Sequence, residues 1–173
     1  MKPRIETLPE KELIGIRTKM TFSNNTTGEL WRKFMPRRKE ITNAVNTDLI
    51  SMQVYDKSFD FEEFDLSRPF EKWAAVEVPN FGTIPNGMET FTLPEGLYTV
   101  FIHKGGASKG SETFQYIFGT WLPNSEYLLD NRPHFEMLGE KYKNEDPTSE
   151  EEVWIPIQPK SENDRAGHAR NSV

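Results

Sequence analysis

Leu8-Pro9-Glu10 recurs as Leu93-Pro94-Glu95, 85 residues further on, and the same succession of hydrophobic patterns follows each copy. A chain that repeats its element order at a long offset reads as two copies of one unit. In the first copy, Ile14, Ile16, Met20 and Phe22 fall on alternate positions of Lys11–Phe22, the period of a half-buried strand. Leu30 and Phe34, then Ile41 and Val45, are four apart, which predicts an amphipathic helix of about four turns that Pro36 kinks or divides. Strands at Leu49–Tyr55 and Trp73–Val78 follow, separated by the acidic, aromatic stretch from Phe59 to Asp65. In the second copy, Met88–Lys104 is strand material around Pro94-Glu95-Gly96, and Gly105–Gly110 is a loop. Ser111 stands as N-cap, and Phe114, Ile117, Phe118 and Trp121 sit at i, i+3, i+4 and i+7 of a helix that Pro123 stops. His134–Tyr142 and Glu152–Ile157 are the closing strands. The expected fold is α+β: two βαββ units, over about 8–79 and 93–157, form a sheet-lined cleft with helices packed behind it. They make one domain over 1–157. From Gln158 the chain turns polar and loses periodicity, so 158–173 is expected to be a disordered tail.

Composition narrows the chemistry. The chain has no cysteine, which excludes a disulfide scaffold, thiolate metal sites and cysteine nucleophiles together. A net charge of −6 repels nucleic acid and anionic lipid non-specifically, so neither is an expected direct partner. The first residues hold no apolar signal segment and no stretch approaches a membrane span, so a cytoplasmic protein is expected. Mean hydropathy is low, −0.69, yet 12% of the residues are aromatic, so much of the apolar mass is carried by flat rings and not by aliphatics. Rings of that kind line ligand pockets.

The last strand carries the sharpest pattern. A period of two places Val153, Ile155 and Ile157 on one face, suited to a helix, and leaves Glu152 and Trp154 projecting together from the other. A carboxylate in an aromatic enclosure holds a lipophilic cation by charge pairing and cation–π attraction. Tyr116, Phe118 and Trp121 on the second helix, with Tyr55 and Trp73 on first-half strands, could complete such a site. The basic run Arg32, Lys33, Arg37, Arg38, Lys39 reads as a solvated helix face. Gly105–Gly110 has the outer glycines of a phosphate loop, but Ser111 stands where that loop needs lysine. His103, His134 and His168 lack metal-ligand spacing, and no Gly-x-Ser-x-Gly elbow occurs. For acid–base chemistry that leaves the carboxylates Glu136, Glu140 and Glu152, the first two on one face of their strand.

Several segments carry a family resemblance: Gly28-Glu29-Leu30-Trp31 with Phe34–Arg38, Phe118–Pro123, Asp130–Glu136 and Glu152–Ile157. Through them the chain resembles the GyrI-like small-molecule-binding family, also called the AraC-type effector-binding domain. The resemblance implies a duplicated βαββ fold with a central cleft for hydrophobic, often cationic compounds, met by an acidic residue that matches Glu152 here. Some members look like hydrolases of strained cyclopropane compounds; others are effector domains fused to DNA-binding helices in transcription regulation. Nothing upstream of Lys11 is long enough for a helix-turn-helix, so a free-standing domain is expected. The reading is a binding module for a lipophilic cation or multidrug-type ligand, with no cofactor or metal. It is favoured over a small hydrolase using Glu152, and over a protein inhibitor of another enzyme such as gyrase.

Overall fold

The mirror arrangement of strands explains why one sequence pattern appears twice. The computed structural model describes residues 1–61, 63 and 65–165. Its strands are β1 (Arg4–Leu8), β2 (Lys11–Met20), β3 (Leu49–Val54), β4 (Phe70–Val78), β5 (Glu89–Leu93), β6 (Gly96–Lys104), β7 (Tyr127–Leu129), β8 (His134–Leu138) and β9 (Glu150–Pro159). They pair antiparallel in the order β1-β6-β9-β8-β3-β4-β2-β5, with β7 added to the far end of β9. β1 and β5, β2 and β6, and β3 and β8 all begin 85 residues apart. The order therefore reads the same from either edge, one unit supplying each half, and the leading strand of each unit pairs with the other unit.

Helices cover one side of this open sheet. Helix α1 (Thr27–Phe34) buries Leu30 and Phe34, four apart, against β2 and β4, where Ile14, Ala74, Val76 and Val78 receive them. It stops there because Pro36 has no N–H to extend the α-helical ladder, and the chain continues as a 3₁₀ turn over Met35–Glu40. The expected four-turn helix is thus two short pieces, with Ile41 buried beyond them and Val45 exposed. Helix α2 (Gly110–Tyr116) runs into a π-helical turn over Ile117–Trp121 and packs on Phe101, Val153 and Ile155 of β6 and β9. Ser111 is not its cap, since a 3₁₀ turn at Ala107–Lys109 already leads into the helix and Ser111 lies inside it.

The opposite side of the sheet holds a core without helices. Leu8, Leu13, Leu93, Tyr98, Phe135, Trp73 and Trp154 form one cluster drawn from both edges and from the centre of the sheet. Arg132 locks this side: it donates to the carbonyls of Leu97 (2.6 Å) and Ile157 (3.2 Å), pairs with Asp130 and lies 4.7 Å from the Tyr98 ring centroid. Three strands escaped the sequence reading: β1, β5 as a strand separate from β6, and the three-residue β7. Gln158 and Pro159, expected in the polar tail, end β9 in register with Leu128 and Tyr127. Residues 166–173 of that expected tail lie outside the described residues. Among the described residues no helix is long and apolar enough to cross a membrane.

Gly15 sets the approach of β2 to β4. A Cβ there would fall on the Ala74 carbonyl oxygen and at 2.7–2.8 Å from Cα and Cβ of Ala75, backbone that cannot step aside. Gly15→Ala is expected to lower unfolding free energy by about 1–3 kcal/mol, the cost of overpacking, read as an earlier urea midpoint. An unchanged midpoint would mean the strands are free to separate there.

Candidate functional site

Each helix covers the outer strands of its own unit, so the two central strands, β3 and β8, are left bare between them. A cleft of about 1310 Å³ opens there. Its floor is built from alternate residues that face the helices: Ser51 and Gln53 of β3, Lys72 of β4, His134 and Glu136 of β8, and Glu151 of β9. Ser51 and Glu136 sit at equivalent places in the two units, 85 apart, and face each other in register. The pseudo-twofold axis therefore passes through the floor at a serine–glutamate pair, and chemically the two halves differ.

One end of the cleft is aromatic. Tyr55, just beyond β3, lies 4.9–5.0 Å from the rings of His134, Phe61 and Phe70. Phe61 is nearly parallel to both Phe118 and His134, 5.3 Å from each. Trp31 of α1 and Phe114 of α2 form the walls. The other end is acidic and polar, with Glu140, Tyr142 and Glu145 from the β8–β9 connection, and Arg38 on its rim. Glu145 is engaged by the Ser108 hydroxyl and amide.

Burial governs the charges on the floor. Desolvation, and then the neighbouring Glu136, push the Glu151 carboxyl up to about 7, against a smaller pull from Lys72. Desolvation holds the Lys72 ammonium below its ordinary range, opposed by Glu136 and Glu151. It also pushes His134 down to about 3, so this ring is neutral at physiological pH. Burial, aided by Glu136, raises the Tyr55 phenol, which stays protonated. Gln53 donates to Glu136 at 3.0 Å and fixes that carboxylate on the axis. Among the described residues no group of three or more His, Asp or Glu side chains is placed to hold a metal ion.

The GyrI-like small molecule binding domain matches residues 1–158. The chain belongs to the GyrI-like family. The GyrI-like chain is 28% identical over 158 residues to the transcriptional regulator BrlR of Pseudomonas aeruginosa, covering 91% of itself and 56% of BrlR, so it spans about half that relative's length. Its fold is that of the EcmrR C-terminal domain (TM-score 0.70, 16% identity, 92% of this chain and 98% of that one). It is also that of SAV2435, solved bound to tetraphenylphosphonium (TM-score 0.68, 15% identity, 91% and 94%).

Within this GyrI-like fold, the residues expected at the site divide between the two faces. Tyr55 and Phe118 line the cleft, and Glu136 and Glu140, named for acid–base chemistry, also reach it. Glu152 and Trp154 project from the opposite face. Arg4 Nη2 lies 2.6 Å from Glu152 Oε2, and the Trp154 indole donates to Glu152 Oε1 at 3.2 Å. Trp73 is buried in that same helix-free core, its indole donating to Glu71. Trp121 and Tyr116 pack beside Phe101 behind α2, and the Tyr116 hydroxyl donates to the Met1 carbonyl. The period of two was right on β9, and Val153 and Ile155 pack against the second helical segment as expected; the cleft opens on that same side and not on the side of Glu152 and Trp154. The helix-facing side is the cleft side wherever the helices do not reach, and Glu151 shares that side with Val153 and Ile155. Lys72, Gln53 and Ser51 were missed, although the same period places all three on the inner face of their strands. The basic run is mostly solvated, with Arg37 paired to Glu40, and His168 lies outside the described residues.

A carboxyl whose folded value lies above its unfolded one adds stability below the unfolded value and loses it as pH rises toward the folded one. Glu151 should therefore cost the protein stability as pH climbs from the ordinary carboxylate range to about 7. Glu151→Gln removes this term. Its urea midpoint is expected to gain on the wild type steadily across that window, whereas parallel profiles would show that Glu151 does not titrate there.

Proposed function

We propose that the cleft binds a lipophilic organic cation, with the Tyr55–Phe61–Phe118–His134 rings as its enclosure and Glu136 and Glu151 as counter-charge. The observation that carries this reading is the placement of two carboxylates on the floor of an aromatic-walled cleft large enough for a polycyclic ligand. A cation there gains ring quadrupole attraction and relieves the mutual repulsion of the carboxylates. A neutral imidazole among the rings adds a flat polarizable surface without an opposing charge. The likeness to a domain solved with tetraphenylphosphonium supports binding over hydrolysis. The half-length match to a transcriptional regulator supports a ligand-sensing role, with any contact to DNA made by another polypeptide segment. Repeat boundaries of about 8–79 and 93–157, within one domain, are part of the same proposal, as is a cytoplasmic location.

Calorimetric titration with tetraphenylphosphonium tests the assignment. Glu136→Gln is expected to weaken binding by about 1–3 kcal/mol, the loss of a charge contact in a partly buried site. Glu152→Gln, on the opposite face and paired with Arg4, is expected to leave affinity unchanged. Weakening by Glu152→Gln alone would move the site to the other side of the sheet.

Glu151 favours one second reading. A carboxyl near 7 beside a second carboxyl is poised for general acid–base work on a ligand held in the cleft. Incubation with an electrophilic cyclopropane compound would decide between the two. The binding reading expects no ring-opened product, and product made by the wild type but lost in Glu151→Gln would install the hydrolase.

A further inference from the structure

Lys72 is the group on the cleft floor that simple cation binding does not use. Its side chain is 5% exposed and lines the cleft, yet among the described residues no hydrogen bond or ion pair is made to its ammonium. Glu136 and Glu151 act on it only at longer range, and one oxygen of Glu136 is already taken by Gln53. An ammonium carries three donors and no acceptor, and here they open into the cleft, since among the described residues the fully buried side-chain polar atoms without a partner lie elsewhere, at Thr26, Thr99 and Arg132. A cleft made solely for cations would do better with a methionine here, because the lysine repels the ligand's charge. His134 repeats the pattern. It is also 5% exposed, its ring nitrogens have no hydrogen-bond partner among the described residues, and it stands across β3 from Lys72, with Gln53 in register between the two. Two buried nitrogen side chains, each with an unused donor, thus flank an amide on one row of the floor.

We infer that the ligand of this cleft is amphoteric: beside its cationic lipophilic body it carries an accepting oxygen, a carboxylate above all, that binds Lys72 with His134 as the second donor. This rests on the reading of the cleft as a lipophilic-cation site and narrows its ligand class. The rings and Glu136 hold the cationic body, while Lys72 takes the anionic end. The ligand then replaces water on donors that the fold leaves unpaired. Net charge on the floor changes little when such a ligand enters, which suits a site where two carboxylates already share a single ammonium.

The test uses the full chain at neutral pH with two phosphonium compounds that differ at one end, (4-carboxybutyl)triphenylphosphonium and pentyltriphenylphosphonium, and tetraphenylphosphonium as reference. The wild type is expected to bind the carboxylate compound about tenfold more tightly than the alkyl one, the scale of one charge-assisted hydrogen bond. Lys72→Met should erase that preference and tighten binding of the alkyl compound and of tetraphenylphosphonium. Lys72→Gln, which keeps a donor but no charge, should fall between and serves if the methionine variant fails to fold. Equal affinity for the two compounds in the wild type, with tetraphenylphosphonium still bound, would overturn this inference alone. Failure of all three cations to bind would overturn the cation reading and this one with it.

Discussion

Two links of two residues each, Pro9-Glu10 and Pro94-Glu95, dictate the shape of everything else. Each joins a strand at or near one edge of the sheet to a strand at or near the other: β1 to β2, and β5 to β6. In a flat sheet six strand spacings would separate the members of each pair, about 29 Å at the usual spacing. Leu8 and Lys11 are three residues apart and can span at most about 11 Å. The sheet must therefore roll until its edges approach, and both links require it in the same sense. The helix-free core is the inside of that roll, which is why Leu8, Leu13 and Leu93 meet the central Phe135 and Trp154 in one cluster. Proline suits the links, since it fixes its own φ and pushes the residue before it toward extended backbone. Gly15 belongs to the same constraint, because a rolled sheet brings β2 onto β4 more closely than a side chain allows.

Once the sheet is rolled, its convex side is too wide for two short helices to cover. α1 lies over β2 and β4, α2 over β6 and β9, and the seam between β3 and β8 is left open as the cleft. The cleft is thus a consequence of duplication and curvature, with no dedicated element to build it. What is added are the connections: the segment after β3 brings Tyr55 and Phe61 to one end, and the segment after β8 brings Glu140, Tyr142 and Glu145 to the other. Divergence of the two units then supplies the chemistry. Position for position, Ser51 stands opposite Glu136 on the axis, so a symmetric scaffold presents an asymmetric floor.

Much of the fold was legible because it depends on local signals. The Leu-Pro-Glu repeat, the alternation along β2 and β9 and the four-residue spacing in α1 are periodicities that survive tertiary packing. β1, β5 and β7 were not legible, since strands of three to five residues at an edge carry too few alternations to stand out. The site was half legible. Period two divides β9 into Glu151-Val153-Ile155 and Glu152-Trp154, but which set lines the cleft depends on where the helices stop, a property of the whole sheet. An indole beside a carboxylate looked like a cation site, and the cation found there is the chain's own Arg4, paired with Glu152 and lying over the Trp154 ring. Trp154 donates to Glu152, and Trp73 donates to Glu71 in the same way on the equivalent strand of the first unit. The two Glu-x-Trp patterns, Glu71-Lys72-Trp73 and Glu152-Val153-Trp154, lie on equivalent strands but two residues out of register with each other, since Trp73 pairs Arg17 where the second unit pairs Ile102 with Glu152. The informative place is the cleft-facing one opposite Thr18 in the first unit and opposite His103, 85 residues on, in the second: a lysine, Lys72, in one unit and a glutamate, Glu151, in the other.

That place ties the electrostatics of the cleft to its symmetry. With glutamate in both units, three carboxylates would crowd the floor, and burial would drive protons onto them. With lysine in both, two ammonium groups would face Glu136 alone and would repel a cation. One lysine against two carboxylates leaves Glu136 hydrogen-bonded to Gln53 and the Glu151 carboxyl pushed up to about 7. Near neutral pH such a carboxyl takes up or releases a proton as the charge around it changes. Under the proposed reading a bound cation would favour its carboxylate form, so ligand affinity would be coupled to proton affinity through a single side chain, and the coupling would follow from the difference between the two units at Lys72 and Glu151.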